Sequence, residues 1–111
     1  MDRLVELGQL LDWYGAFLTE RQRSLVRQYA YEDCSLGEIG EREGITRQAV
    51  RDAIQTAETE LKTMEEKLGL IQKNEQLRQI SKELSETAVT DRQKQLIDRL
   101  LALVAEEENG V

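Results

Sequence analysis

The chain has no histidine and no proline, one cysteine, and five aromatic residues among 111. Without histidine there is no imidazole to serve as a general base, to bind zinc or to pair with a thiolate. A single cysteine closes no internal disulfide, so Cys34 reads as an ordinary reduced thiol. The lack of proline leaves every segment free to continue as helix. No apolar run approaches the roughly 20 residues of a membrane span. The start, "MDRLVELGQLLDWYG", carries acids where a signal peptide would carry bases. A cytoplasmic protein without a membrane partner is expected. A glycine-rich phosphate loop and a poised nucleophile are also missing, and the many carboxylates fall on the solvent faces of helices with nothing to shift their pKa. These absences predict neither enzyme activity nor a cofactor, and no bound metal.

Basic residues are in deficit as well, with 15 Lys and Arg against 22 Asp and Glu, a net charge of −7. Residues 1–70 carry nine bases and fourteen acids, and residues 71–111 six and eight. The acidity therefore forms no detachable tail. It argues against coating nucleic acid without selectivity, a mode that needs many Lys and Arg on phosphates. A local basic face remains open.

What is present is charge, a third of all residues, arranged around apolar stripes of helical period. The fold class expected is all-α, with a modest core. Leu4, Leu7, Leu11, Tyr14 and Leu18 recur at spacings of three and four and define a first stripe. Three capping boxes then mark three helix starts: "TERQ" at Thr19 and Gln22, "SLGE" at Ser35 and Glu38, "TDRQ" at Thr90 and Gln93. Val50, Ala53, Ile54, Ala57, Leu61, Met64 and Leu68 predict a long helix, with Glu58 and Lys62 as a solvent-side pair and Gly69 as its end or kink. Leu70, Ile71, Leu77, Ile80 and Leu84 mark another helix, and Leu96, Ile97, Leu100, Leu101, Leu103 and Val104 the last. The terminal "EEENGV" reads as frayed.

Between the second and the long helix lies "SLGEIGEREGITRQAVRDAI", two helices joined by a tight turn. Gly44 stands where a short helix would end at positive φ, Thr46 is the next N-cap, and Gly40 is small enough for close helix approach. Short loop and crossed helices define a helix-turn-helix. At the start of its second helix Arg47, Arg51 and Gln55 share a face at i,i+4 spacing. Arg suits guanine and Gln adenine, and the helix end at Thr46 suits a phosphate. Arg21, Arg23, Arg27 and Arg42 are candidate backbone contacts. The alternative use of such a core is protein docking, since arginines among acids also serve as solvated ion pairs.

The segments "WYGAFLTERQR", "SLGEIG" and "GITRQAV" occur in an order and spacing that closely resemble the YlxM-like family of small helix-turn-helix proteins, encoded in many Gram-positive bacteria beside the genes of the signal recognition particle. More broadly the core resembles region four of sigma factors. The first resemblance implies an all-helical protein acting in the signal recognition particle pathway. The second implies that Arg47, Gln48, Arg51 and Asp52 enter the major groove, and together with Thr46, Gln55 and Arg42 they make up the expected nucleic-acid-binding face. Two positions depart from the family pattern: Glu43 before the turn glycine, expected to loosen the packing, and Arg51 after "RQAV". The acids Glu38, Glu41, Glu43 and Asp52 close by would repel phosphate.

The resulting expectation is a helix-turn-helix domain over 1–70 and a C-terminal helical extension over 71–111. The extension would cover its apolar stripes against the core or in a homodimer, for which Leu61, Met64, Leu68 and Ile71 offer a short heptad-like seam. DNA is expected before RNA as the partner, with a signal recognition particle component as the other candidate.

Overall fold

A computed structural model describes residues 2–108, which form six α-helices and, among the described residues, no strand. The final residues of the stretch read as frayed, Asn109 to Val111, lie outside the described residues. Helix α1 spans Arg3–Tyr14, α2 Glu20–Ala30, α3 Leu36–Glu43, α4 Arg47–Leu68, α5 Leu70–Thr87 and α6 Asp91–Glu108, with one 3-10 turn at Gly15–Phe17. The chain divides into two compact units, 1–68 and 69–111.

In the first unit local chemistry sets the helix starts. Asp2 caps α1 by accepting from the Leu4 amide at 3.0 Å. Both expected boxes close: the Thr19 hydroxyl accepts from the Gln22 amide while the Gln22 side chain accepts from the Thr19 amide, and Ser35 and Glu38 repeat the exchange. Each box satisfies two amide donors that the helix itself cannot. The first apolar stripe does not run as one helix. α1 stops at Tyr14, and the 3-10 turn carries the chain to Leu18, which is buried all the same.

The core of this unit is Leu7, Leu10, Leu11, Tyr14, Leu18, Leu25, Val26, Ile39, Val50, Ile54, Ala57 and Leu61. Burying one such large aliphatic side chain stabilises by roughly 1.5–3 kcal/mol. α4 packs against α1, α2 and α3 and so holds the unit together.

Three carboxylates expected on solvent faces are cross-links between helices. Glu58 accepts from Arg3 at 3.1 Å rather than pairing along its own helix with Lys62. Glu65 accepts from the Tyr14 hydroxyl at 2.5 Å. Glu43 accepts from the buried Gln28 amide at 2.9 Å, so its position before the turn fastens α3 to α2 instead of loosening the motif. A buried amide needs a partner more than the turn needs an apolar residue.

Gly69 ends α4 in the left-handed conformation, φ 62°. The heptad-like seam from Leu61 to Ile71 is thereby cut by a helix end, and Leu68 is exposed.

The second unit is a helical hairpin in which α5 and α6 pack together across the short connection Ala88–Thr90. The third capping box closes at its turn, Thr90 accepting from the Gln93 amide at 3.1 Å and Gln93 accepting from the Thr90 amide at 3.0 Å. Among the described residues the buried ones are Asn74 and Ser81 on α5 and Ile97 and Val104 on α6. Leu77, Ile80, Leu84, Leu96 and Leu103 are exposed.

Candidate nucleic-acid interface

The turn between α3 and α4 fixes the candidate face. Gly44 takes φ 71°, in the left-handed region where glycine pays no steric penalty, and its amide returns to the Gly40 carbonyl. A Cβ on Gly40 would stand 2.7 Å from the Ile45 carbonyl oxygen, so only glycine lets the turn close over α3. Thr46 then caps α4 by accepting from the Ala49 amide at 3.0 Å. Ile39 and Val50 are fully buried and hold the two helices at one angle.

On the outer side of α4, Arg47, Gln48, Arg51, Asp52 and Gln55 are all exposed, as is Thr46 at its tip. Arg47, Arg51 and Gln55 lie along one stripe. Gln48 donates to Asp52 at 2.9 Å, which engages that carboxylate beside Arg51. The first turn of α4 holds no acid, whereas α1, α2, α3 and α6 each carry one there. The partial positive charge of this helix end is therefore not answered from within its own first turn.

Two of the four acids expected to repel phosphate are committed elsewhere. The Glu38 carboxylate is held by the Ser35 amide and hydroxyl, and those hydrogen bonds keep it below the ordinary carboxylate range. Glu43 is turned toward Gln28. Glu41 is exposed on α3. Arg42 is also engaged: it donates to Gln28 at 3.1 Å and approaches Glu32 at 3.6 Å. Arg42 thus stands beside the face as part of the brace between α2 and α3.

Arg51 and Gln55 also border a depression of about 320 Å³ with Arg3, Tyr29, Leu36 and Ile54. Sequence reasoning missed Arg3, which lies far from the motif along the chain. Its guanidinium stands 5.9 Å from the Tyr29 ring centroid and binds Glu58, and that hydrogen bond raises its pKa. No local signal links Arg3 to α4, because the pairing with Glu58 spans 55 positions. Gln28, the buried polar centre of the α2–α3 brace, was equally hidden. Its place among the apolar residues Leu25, Val26 and Tyr29 was the one available sign.

A bundle of four helices, the last two joined by an αL turn and the last bearing an exposed arginine stripe, defines a helix-turn-helix protein. The chain belongs to the family described as "UPF0122: Putative helix-turn-helix protein, YlxM / p13 like", whose sequence model matches residues 1–100. It is similar to a UPF0122 protein of Desulforamulus reducens, 48% identical over 73 residues, 66% of this chain and 62% of that relative. A UPF0122 protein of Geobacillus kaustophilus is 42% identical over 86 residues, 78% of each chain. One from Exiguobacterium is 38% identical over 109 residues, 98% of this chain and 96% of the relative. The chain thus spans less than two thirds of the first relative and nearly all of the third. No solved structure matches it. No helix among the described residues is long and apolar enough to cross a membrane.

Proposed function

We propose that this protein is a cytoplasmic regulator that binds duplex DNA through the outer face of α4. Arg47, Arg51 and Gln55 read base edges in the major groove, and the Thr46-capped helix end meets a phosphate. The observation that carries this reading is the exposed Arg47–Arg51–Gln55 stripe at a helix start without an acid in its first turn. Engagement of Glu38 and Glu43 in hydrogen bonds away from the face supports it, and Gln48 ties down the Asp52 carboxylate within it. Gln48 and Asp52 act as a pair that orients the stripe, and Arg42 reaches the backbone from the α3 side.

Selection from a random pool of duplexes tests it. Enrichment of a short motif that an Arg51→Ala variant no longer enriches supports the assignment, and a pool that stays random contradicts it.

A second reading has its own observation, the net charge of −7. An acidic domain with this core is suited to dock on a basic protein, and the YlxM-like resemblance points to the signal recognition particle. A complex with a particle protein that survives nuclease treatment supports docking. Its loss on nuclease digestion assigns the contact to RNA.

A further inference from the structure

The hairpin of α5 and α6 covers little of its own apolar surface. Its buried seam holds Asn74 and Ser81 on one side and Ile97 and Val104 on the other, while Leu77, Ile80, Leu84, Leu96 and Leu103 remain 42%, 55%, 46%, 45% and 61% exposed. Asn74 and Ser81 lie as many residues before Val89 as Val104 and Ile97 lie after it. An antiparallel hairpin turning at Val89 therefore sets Ser81 level with Ile97 and Asn74 level with Val104. The leucine stripes stand beside this seam and not in it. With about 100° of rotation per residue, Leu77, Leu84 and Ile80 lie roughly a sixth to a third of a turn around α5 from the seam. Leu96 and Leu103 lie about a third of a turn around α6, in the same rotational sense. In an antiparallel pair the same sense from both seams brings both stripes to one face.

The rims of that face are oppositely charged. Glu83 projects from the outer edge of α5, and Arg92 and Arg99 project from the outer edge of α6, all three exposed. By its distance from Val89, Glu83 is level with Gln95, midway between the two arginines. A surface with an acid on one rim and two bases on the other, at one level, complements itself about a twofold axis parallel to the helices.

We propose that this face is the interface between two copies of the chain, which close a four-helix bundle of two hairpins. The twofold lays α5 of one copy along α6 of the other. Leu77, Leu84, Leu96 and Leu103 then fill the centre, and each Glu83 sits between the partner's Arg92 and the partner's Arg99. The apolar centre supplies affinity, and the charged rims select this pairing over the one that sets α5 on α5. The proposal does not depend on what the α4 face binds.

Sedimentation velocity of the full chain, from about 1 to 100 µM, tests it. The wild type is expected to sediment as a dimer, and a Leu77→Glu, Leu103→Glu variant as a monomer. Glu83→Arg is expected to weaken the dimer at least about tenfold, and adding Arg92→Glu and Arg99→Glu to it restores most of the loss. The charge variants alter exposed positions only, so they decide the matter even where the leucine variant loses helical circular dichroism. A wild type that stays monomeric throughout, as a hairpin covered by its own chain would, overturns the proposal. So does a dimer indifferent to both sets of substitutions.

Discussion

Ser35 shows how one side chain sets a helix start in the motif. Its hydroxyl accepts from the Glu38 amide at 3.1 Å while its own amide donates to the Glu38 carboxylate at 3.1 Å. Ser35→Ala removes half of that exchange and is expected to lower stability by about 1 kcal/mol in denaturant melts at neutral pH. The pH dependence follows from the depressed Glu38 carboxyl, held down first by the Ser35 amide and then by the hydroxyl. A folded pKa below the ordinary 4.5 gives a contribution fully present above that value and lost as pH falls through the folded pKa. The stability gap between wild type and Ser35→Ala should therefore stay constant at neutral pH and narrow in acid. A gap that widens in acid would show that the box acts by some other means.

Gly40 controls how two helices meet. A Cβ there, 2.7 Å from the Ile45 carbonyl oxygen, would fall on backbone, which cannot swing aside as a side chain can. Gly40→Ala must push α4 away from α3, at a cost of about 1–3 kcal/mol. Thermal melts should show that loss, together with weaker binding by the α4 face. Gly40→Ala with wild-type stability would mean that the turn closes over α3 with room to spare.

The elements also show what could be read along the chain. Thr19 and Gln22, Ser35 and Glu38, and Thr90 and Gln93 were legible because each pair acts within a single turn of helix. Gly40, Gly44 and Thr46 were legible for the same reason. The partners of Glu43, Glu58 and Glu65 were not, because those bonds cross 15, 55 and 51 positions and exist only once the helices have packed. Of the candidate face, the spacing of Arg47, Arg51 and Gln55 was visible in advance, whereas the neighbouring Arg3 and Tyr29 arrive from two other helices. The C-terminal stripes announced helices, but periodicity could not say what faces them, and on α5 the seam went to Asn74 and Ser81 rather than to leucine.

For the molecule as a whole, a net charge of −7 must coexist with a binding face built from few bases. An acidic body repels the duplex at long range, so association depends on local contacts and weakens as salt screens them. Two to four phosphate contacts would make log K fall by roughly 2–4 per tenfold rise in salt. The measurement that tests the central claim most directly is fluorescence anisotropy of a labelled duplex carrying the selected motif, titrated at low and physiological salt with wild type and with the Arg47→Ala, Arg51→Ala double variant. Saturable binding with a salt slope in that range, lost in a double variant that melts like the wild type, is the predicted result. Binding that survives removal of both arginines, or no binding at low salt, would contradict the assignment of α4 to DNA.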